Sequence, residues 1–390
     1  MGFSKHHIRF AAELLSGYSG QVPLSVFLKQ FFAGQKKFGS RDRREIGALC
    51  YQYFRLGHLA TDFLPAERLL IAVLLFHSRP HEVLAEIKPE WLDAASLPFD
   101  EKLSFVLGKK LLPQQHTPFH SLLQPQTGGQ SYVSSFFHQP DLFIRIRPAA
   151  DHLYKALINV CPGAHATDCP DVFSLPNGTN TEELGVLNRD FVIQDLSSRK
   201  SGNIIREVFP DLKGNLWDCC AASGGKTIML YDTYGKHLHY TVSDIRSGIL
   251  HNLRERLKNA GINRYQLYQA NLEQGLPHTV KQGSMDVILA DVPCTGSGTW
   301  ARTPEQHYFF KPEQLNSYVS RQQAICTTVL PALKSGGTYI YITCSVFEAE
   351  NDGMARFLEE KCSLNLIESR VIDGIPYKAD SMYIALFTKP

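Results

Sequence analysis

Leu216-Trp-Asp-Cys-Cys-Ala-Ala-Ser-Gly-Gly-Lys-Thr227 is the stretch of sequence that decides the fold. An apolar run that ends in an acidic residue and continues through small residues and two glycines is typical of a strand, a tight turn and a helix. The glycines let the backbone approach a ligand closely, and the N-terminus of the following helix offers free N–H groups. We therefore predict a nucleotide-handling turn at the carboxyl end of a strand.

Spacing argues against two common forms of such a turn. Gly224 and Gly225 directly precede Lys226-Thr227, so the GxxxxGK[ST] spacing of a P-loop is absent. There is also no GxGxxG, which weakens a dinucleotide-binding interpretation. Asp244 ends the next apolar run, where Rossmann sites place the carboxylate that holds ribose hydroxyls. Taken alone, Asp244 is equally well explained as a helix cap.

Two cysteines follow two further strand-like runs. Val287–Ala290 leads into Asp291-Val-Pro-Cys294, and Tyr339–Ile342 leads into Thr343-Cys344-Ser345. Ligands of open α/β sheets bind outside the carboxyl ends of the strands, so three loops would converge on one crevice. A Gly-rich turn beside two thiols and a carboxylate suggests covalent chemistry on an electrophilic substrate.

Strand-like and helical segments alternate from about residue 186 onward. The candidate strands are Asn215–Asp218, Tyr240–Asp244, Gln266–Tyr268, Val287–Ala290, Tyr339–Ile342 and Tyr383–Phe387. Helical patterns at Ile249–Ala260 and Leu315–Leu333 lie between them. This alternation predicts an α/β domain over residues 186–390, with a mostly parallel sheet covered on both faces.

Two smaller domains are predicted before it. In residues 1–125 apolar side chains recur at three- and four-residue spacing, which predicts a helical domain, and Leu69–Phe76 within it suits a buried helix. A Pro-, Gln- and His-rich segment, Leu111–Gly129, is interpreted as a linker or loop. Leu142–Pro148 alternates apolar and basic residues as a strand does, and Asp151–Val160 predicts a helix. We therefore assign residues 126–185 to a small α+β domain.

Composition indicates a soluble globular protein of several domains. The chain has 390 residues, 44% hydrophobic and 20% charged. Nine cysteines show no CxxC pair, and there is neither a signal peptide nor a long apolar span. We expect free thiols, a cytoplasmic location and no membrane partner. The histidines show no metal-ligand spacing, so no metal is expected.

A basic stretch is the candidate nucleic-acid contact in the helical region. The formal net charge is only +2, yet Lys29 to Arg55 contains seven basic and two acidic residues. One interpretation is a solvated helix face, and the other is a patch that contacts phosphates. Ser40 or Asp42 is predicted to cap the helix that follows. The aromatic residues nearby fall at helical spacing, which favours a core over base platforms.

Several ordered motifs resemble those of one enzyme family. They are Ala221–Thr227, Asp291–Gly298, Tyr341–Ser345 with Glu350-Asn351, Gln194-Asp195, Thr303-Pro304-Glu305, Gln322 and Lys334–Gly337. Together, over roughly residues 130–390, they resemble the Sun/RsmB-type RNA (cytosine-5-)-methyltransferases. The stretch from Ser40 through Arg55 resembles the NusB-like RNA-binding domain of that family's bacterial branch.

The resemblance implies a fold and partners. We expect an all-α NusB-like domain at residues 1–125, an RRM-like α+β RNA-binding domain at 126–185, and a Rossmann-like methyltransferase domain with a mostly parallel seven-stranded sheet at 186–390. The cofactor would be S-adenosylmethionine. The substrate would be RNA, above all small-subunit ribosomal RNA or a pre-ribosomal particle, and the protein would act as a monomer.

The resemblance also implies the site residues. The cofactor-binding set would be Cys220, Ala221, Ala222, Ser223, Gly224, Gly225, Lys226, Asp244, Asn271 and Asp291. The catalytic set would be Cys344, Cys294, Asp291 and Lys226. Carbon 5 of cytosine is a poor nucleophile, and addition of a thiolate to carbon 6 turns the ring into an enamine that reacts at carbon 5. Cys344 would add, Asp291 would stabilise the charge at N3, and Cys294 would assist release.

Three departures from the family pattern affect the cofactor side. Ser223 stands where the family has Pro, Asn271 where it has Asp, and Ile249 where it has Arg, for which Arg246 is an out-of-register substitute. We therefore expect real but weakened cofactor binding. One alternative is a non-catalytic RNA-binding assembly factor. Another is a methyltransferase acting on an exocyclic amine, whose Asn/Asp-Pro-Pro-Tyr loop is not present.

Overall fold

A computed structural model describes residues 3–35, 37–108, 112–127, 129–150 and 152–390. Lys36 of the basic stretch, and Leu111, Gly128 and Asp151 in the predicted linker and helix, lie outside the described residues. The chain separates into two compact units. The helical unit takes its described residues from 1–123, 128–139 and 300–312, and the α/β unit from 124–127, 140–299 and 313–390.

The first eight helices belong to the helical unit. They are α1 (Phe3–Ser16), α2 (Leu24–Ala33), α3 (Ser40–Arg55), α4 (Pro65–Phe76), α5 (Glu82–Ile87), α6 (Phe99–Leu107), α7 (Pro113–His116) and α8 (Gly129–Ser135). The N-cap of α3 is Gly39 rather than Ser40 or Asp42, and its N–H donates to Asp42 Oδ2 at 3.1 Å, so Asp42 stabilises the start of the helix from its third position. Helix α4 begins with Pro65, which suits a first helical position, and is buried over residues 68–75, as predicted.

The aromatic side chains of α2 and α3 form core rather than an exposed platform. Phe32, Phe38 and Phe54 are buried in the main apolar cluster of the helical unit. Phe31, Tyr51 and Tyr53 are partly buried and pack against the same cluster. Arg55, the last of the seven basic residues, is itself buried at 5% exposure and is therefore not part of a surface patch.

A small antiparallel sheet opens the α/β unit. Its strands are β1 (Leu142–Ile146), β2 (His165–Ala166), β3 (Val172–Leu175) and β4 (Phe191–Ile193), in the order β2-β3-β1-β4, and helix α9 (Leu153–Val160) lies between β1 and β2 in sequence. Strand β4 comes after residue 185, so the boundary predicted there falls inside the sequence of this sheet. The basic face of β1 is buried, because Arg145 and Arg147 both pair with Asp232 at 2.7 Å.

The second sheet has seven strands. They are β5 (Gly214–Asp218), β6 (Leu238–Asp244), β7 (Tyr265–Gln269), β8 (Met285–Asp291), β9 (Leu333–Thr343), β10 (Asn365–Ile372) and β11 (Met382–Thr388), in the order β10-β11-β9-β8-β5-β6-β7. Strands β5 to β9 pair in parallel, whereas β11 is antiparallel to both of its neighbours. The six strands predicted from sequence are confirmed. Strand β10, half-exposed at the sheet edge, lacks the continuous apolar run that would have predicted it.

Helices cover both faces of this sheet. They are α10 (Leu196–Val208), α11 (Gly225–Tyr234), α12 (Ser247–Asn259), α14 (Gln314–Val329) and α15 (Asp352–Glu360); α13 (Pro304–Phe309) lies in the helical unit. Neighbouring residues of one strand point to opposite faces. Ile288 of β8 and Tyr341 of β9 pack in the cluster of α14 and α15, whereas Leu289 and Ile342 pack in the cluster of α10 and α11. Across the described residues, no helix is long and apolar enough to cross a membrane.

Candidate active site

The strand order places a crevice beside β5 and β8. Strands β6 and β7 follow β5 toward one edge of the sheet, whereas β9 lies next to β8 on the opposite side. Such a reversal of strand order is where open α/β sheets bind ligands, outside the carboxyl ends of the strands. The loops that follow Asp218, Asp291 and Thr343 all begin at this edge.

The turn after β5 has two residues with left-handed backbone conformations, and a hydrogen bond to Asp244 stabilises it. Ala222 has a φ of 47° and Gly224 a φ of 82°, both in the left-handed region. The N–H of Ala222 donates to Asp244 Oδ2 at 3.0 Å, which ties the turn to the end of β6. A Cβ on Gly224 would collide with Leu253, whereas one on Gly225 would meet no atom within 4 Å. The start of α11 therefore faces open space.

A cleft lies beside this turn. Cys220, Asp244, Asn271, Pro293 and Ile325 are among its lining residues, and its cavity volume is about 70 Å³. This cleft brings together three of the predicted cofactor-binding residues from three separate loops.

Arg246 covers the carboxylate of Asp244 in this cleft. Its backbone N–H and its Nε both donate to Oδ1 at 2.9 Å, and its Nη2 donates to Oδ2 at 3.1 Å. Burial opposes ionisation of Asp244, but these hydrogen bonds outweigh it and lower the pKa of the carboxyl group. With the N–H of Ala222, the carboxylate has four donors, which fills its acceptor capacity.

An ion pair connects the turn to the loop after β8. Lys226 Nζ lies 2.6 Å from Asp291 Oδ2. Burial alone would lower the pKa of Lys226, but the adjacent Asp291 carboxylate outweighs burial and raises it. Lys226 is therefore a fixed cation at neutral pH, held against the carboxylate at the end of β8.

The two cysteines predicted to act together lie side by side. Cys294 Sγ and Cys344 Sγ are 3.4 Å apart, and both residues are partly exposed. The hydrogen bond to Cys344, together with burial and the nearby Glu350, raises the pKa of the Cys294 thiol well above its usual value. Two adjacent thiols cannot both ionise easily, and the raised pKa of Cys294 keeps the proton on that thiol.

Glu350 holds both cysteine loops. Its carboxylate accepts from the Thr295 N–H at 2.9 Å, from Thr295 Oγ1 at 2.6 Å, from Ser345 Oγ and from Gln322 Nε2 at 2.9 Å. Thr295 follows Cys294 and Ser345 follows Cys344, so one buried carboxylate fixes the residue after each thiol. Burial raises the pKa of Glu350. The sequence had signalled Glu350 and Gln322 only as pieces of a motif, without this role.

Asp218 is a further buried acid at the base of the crevice. Thr227 Oγ1 donates to its Oδ2 at 2.6 Å, and its Oδ1 is buried without a hydrogen-bond partner. Burial raises the pKa of Asp218 to about 7. Sequence analysis identified Asp218 only as the end of a strand, because burial of a single carboxyl group cannot be read from spacing.

The residues that depart from the family pattern have partners of their own. Ser223 Oγ accepts a hydrogen bond from Arg256, whose Nε also donates to Asn188 Oδ1. Asn271 Oδ1 accepts from the N–H of Glu273 at 3.1 Å. Within the described ranges, no group of three or more His, Cys, Asp or Glu side chains is arranged to hold a metal ion.

Comparison with known proteins shows which family the chain resembles. Residues 209–387 match the model of a family described as 16S rRNA methyltransferase RsmB/F, which is less than half of the chain. The chain is 29% identical over 248 residues to the probable ribosomal RNA small subunit methyltransferase B of Synechocystis, covering 60% of this chain and 54% of that one. It is 30% identical over 182 residues to the ribosomal RNA small subunit methyltransferase B of Serratia proteamaculans, covering 45% and 40%.

The chain thus spans about half the length of these curated relatives. Solved structures resemble its fold. The crystal structure of PH0851 aligns with this chain over 100% of both chains, at a TM-score of 0.70 and 16% identity. A methyltransferase homologue from Pyrococcus horikoshii covers 70% of this chain, aligned over 93% of its own length, with a TM-score of 0.57 and 20% identity.

Proposed function

We propose that the protein is an RNA cytosine carbon-5 methyltransferase, acting on small-subunit ribosomal RNA with S-adenosylmethionine as the methyl donor. The observation that carries the proposal is the pair of thiols 3.4 Å apart at the ends of two adjacent strands. The Lys226–Asp291 ion pair at the end of the same strand β8 supports it. The names of the relatives supply the substrate class.

Cys344 would form the covalent bond to the base. As a thiolate it attacks carbon 6 of cytosine, and the electron density displaced from the C5–C6 double bond makes carbon 5 nucleophilic. Asp291, fixed by Lys226, would contact the N3 edge of the ring and stabilise the charge that develops there. S-adenosylmethionine would supply an electrophilic methyl group to carbon 5.

The 3.4 Å separation of the thiols supports a separate role for each. In the free protein Cys294 keeps its proton, because the hydrogen bond to Cys344 beside it raises its pKa. Once Cys344 is bonded to carbon 6 it is no longer a thiol or a thiolate, so that cause of the raised pKa is removed. Cys294 then ionises more easily, at the stage when a base must remove the proton from carbon 5. Cys294 would therefore be a neutral thiol during the addition step and a base during the release step.

The residues that line the cleft beside the turn suit S-adenosylmethionine by their chemistry. The Asp244 carboxylate is an acceptor for ribose hydroxyls, and Pro293 and Ile325 offer apolar walls for adenine, with the Asn271 amide beside them. The turn formed by residues 220–226 would hold the methionine part, because Gly225 leaves open space at the start of α11. Ribose can reach both oxygens of Asp244 only after the side chain of Arg246 has moved.

We further propose that the helical unit is a NusB-like RNA-binding domain, that the small sheet acts as an RRM-like one, and that the protein works in the cytoplasm. Arg41, Arg43 and Arg44 of α3 are all exposed, and Arg43 also donates to the carbonyl of Phe38. Replacing Arg41 and Arg44 with Glu should weaken RNA binding and flatten its dependence on salt. If a filter-binding titration shows unchanged RNA affinity and an unchanged salt dependence, these residues form a solvated helix face and do not contact RNA.

The direct test is to identify the modified nucleoside. Unmodified small-subunit ribosomal RNA, free and assembled in particles, is incubated with the protein and S-adenosylmethionine, then digested and analysed by mass spectrometry. We expect 5-methylcytidine from the wild type and none from Cys344→Ala. A methyl group on an exocyclic amine, or no methyl group on either substrate, would overturn the proposal.

The second candidate is a non-catalytic RNA-binding assembly factor. One observation favours it, namely that Arg246 already fills the acceptor positions of Asp244. Calorimetry separates the two functions, because the enzyme must bind S-adenosylmethionine. Saturable heat at submillimolar cofactor supports the enzyme, and no heat up to millimolar concentration supports the assembly factor.

A further inference from the structure

The nine cysteines of the chain are all free thiols in the structure, and they differ in their access to solvent. Five are buried, and four are partly exposed, namely Cys220, Cys294, Cys344 and Cys362. Cys294 and Cys344 are in contact, with 3.4 Å between their sulfur atoms. The proposed reaction uses these two thiols one after the other, but two accessible thiols in contact can also react with each other.

Adjacent strands of the α/β unit place these two cysteines close enough for a disulfide. Strands β8 and β9 pair in parallel, with Asp291 opposite Ile342, and each cysteine closely follows the end of its strand. Neighbouring strands lie about 4.8 Å apart, and the Cα atoms of a disulfide are usually about 4.4–6.8 Å apart. The N–H of Gly298 donates to the carbonyl of Cys344 at 2.9 Å, so the loop after Cys294 stays beside Cys344. The bond requires the sulfur atoms to approach from 3.4 Å to about 2.0 Å.

The hydrogen bonds of Glu350 hold the residue after each cysteine, not the thiols themselves. Its carboxylate accepts from the N–H and the hydroxyl of Thr295 and from the hydroxyl of Ser345. The backbones of the two loops are therefore kept together, while the side chains of the cysteines can still change rotamer. Holding two reacting groups side by side in this way greatly raises the rate at which they react with each other.

A cation lies close to this pair of thiols. Burial lowers the pKa of Lys226, but the Asp291 carboxylate and, after it, a negative charge on Cys344 outweigh burial and raise it. The ammonium group is therefore within electrostatic reach of the Cys344 sulfur. Cysteines that react with peroxides are typically partly exposed and have a basic side chain nearby, because the thiolate is the reacting form. Cys344 meets both conditions.

We infer that Cys294 and Cys344 are a site of reversible oxidation, at which hydrogen peroxide produces an intramolecular disulfide. The Cys344 thiolate attacks one oxygen of the peroxide, the O–O bond breaks, and a sulfenic acid and a hydroxide ion form. The Cys294 sulfur then attacks the sulfenic sulfur, and the hydroxyl group leaves as water with the Cys294 proton. Overall, the two thiols are oxidised to a disulfide, and one peroxide molecule is reduced to water.

The inference gives Cys294 a second role, that of a resolving thiol. A sulfenic acid with no thiol in reach is open to further oxidation to sulfinic acid, which thiol reductants do not reverse. The disulfide protects Cys344 from this loss. It also removes the nucleophile and the release base together, so methyl transfer should stop until the disulfide is reduced. This last consequence rests on the proposed function, whereas formation of the disulfide does not.

The test treats the reduced protein with hydrogen peroxide in the absence of RNA and then blocks the remaining thiols by alkylation. Peptide mass spectrometry identifies the linked cysteines. Methyl transfer to unmodified ribosomal RNA is measured before oxidation, after oxidation and after treatment with dithiothreitol. We expect a link between Cys294 and Cys344, methyl transfer at least about tenfold slower after oxidation, and recovery to within about twofold after reduction.

Two variants separate the resolving role from general oxidation of thiols. Cys294→Ser should form no link, and its Cys344 should be converted to sulfinic acid that dithiothreitol does not reduce. Cys362→Ser is the matched control, because Cys362 is also partly exposed but lies outside the site. It should form the link between Cys294 and Cys344 and recover its activity as the wild type does.

A wild type with no link between Cys294 and Cys344, under conditions that oxidise Cys362, would overturn the inference. Equal protection of Cys344 from sulfinic acid in Cys294→Ser would also overturn it, because Cys294 would then not be the resolving thiol. If the reduced protein methylates no RNA, the proposed function fails, and the mass spectra still decide whether the two thiols form a disulfide. Linked protein that methylates RNA as fast as reduced protein would refute the two-thiol reaction in the same way.

Discussion

The two halves of the candidate active site differ in how complete they are. In the cysteine half, Cys294 and Cys344 are 3.4 Å apart, and Glu350 fixes the residue that follows each of them. In the cofactor half, the carboxylate expected to hold ribose is covered by Arg246. Three of the four departures from the family pattern, at Ser223, Asn271 and Ile249, lie on the cofactor side, and the fourth, the minor change of Ala to Val292, lies in the loop that carries Cys294.

The difference indicates where the reaction depends on preorganisation and where it depends on motion. A buried carboxylate with several donors keeps the two thiols in place before substrate arrives, which is the condition for low reorganisation during reaction. The side chain of Arg246 is 56% exposed, so it can leave Asp244 and be solvated by water. Changes in the first half should therefore damage turnover, and changes in the second should alter cofactor affinity.

The largest effect should come from Lys226→Met. This change removes the cation that fixes Asp291, and we expect methyl transfer to fall about 100-fold or more. The matched control is Lys334→Met, because Lys334 pairs with Asp286 at the other end of β8, also at 2.6 Å. Initial rates on unmodified ribosomal RNA should stay within about twofold for the control. Equal losses in both variants would show that the Lys226 pair has only a structural role.

The next effect concerns Asp218, which lies at the base of the crevice. Its pKa is raised to about 7, against about 3.9 in an unfolded chain. Between these values the folded protein binds a proton that the unfolded chain does not, so this group's contribution to stability is present below pH 4 and is lost as pH rises to 7.

Asp218→Asn should remove that contribution, since the amide stays neutral. We expect the unfolding free energy of the variant, minus that of the wild type, to rise by roughly 1.4 kcal/mol per pH unit between pH 5 and 6.5. Urea titrations at several pH values measure it. A difference that does not vary with pH would mean that Asp218 is ionised throughout.

The smallest effect should come from Arg246→Ala. It frees the carboxylate of Asp244, so we expect S-adenosylmethionine to bind about three- to fivefold more tightly, with RNA binding unchanged. The control is Arg254→Ala, because Arg254 is exposed on helix α12, which begins directly after Arg246. Calorimetry on both variants decides the point. Weaker binding of S-adenosylmethionine in Arg246→Ala, but not in Arg254→Ala, would mean that Arg246 contacts the cofactor directly. Arg246 would then be a preorganised part of the site rather than a residue that must move.

The sequence predicted the parts of the molecule that depend on local pattern. Six strands of the large sheet and both cysteine loops could be placed because apolar runs end at Asp218, Asp291 and Thr343. Strand β10 could not, because an edge strand such as Asn365–Ile372 needs no buried run. The buried ion pair of Arg145 with Asp232 could not be predicted either. The alternation of apolar and basic residues indicates a strand with a basic face, but not which residues pack against that face.

Long-range partners account for what the sequence missed in the site. Glu350 meets Thr295 across 55 residues. The packing of residues 300–312 with the N-terminal helices joins segments far apart in sequence, as in the contact of Leu24 with Glu305 across 281 residues. Motif spacing carries none of this information, because each contact depends on how distant elements pack.

The measurement that tests the central claim most directly is a covalent trap. Cys294→Ala is mixed with unmodified small-subunit ribosomal RNA and S-adenosylmethionine, and a protein–RNA adduct that survives denaturation is sought. Without the thiol that assists release, Cys344 should remain bonded to the base, so the adduct should accumulate with Cys294→Ala and be absent with Cys294→Ala, Cys344→Ala. No adduct despite measured cofactor binding, or an adduct that persists in the double variant, would contradict the account.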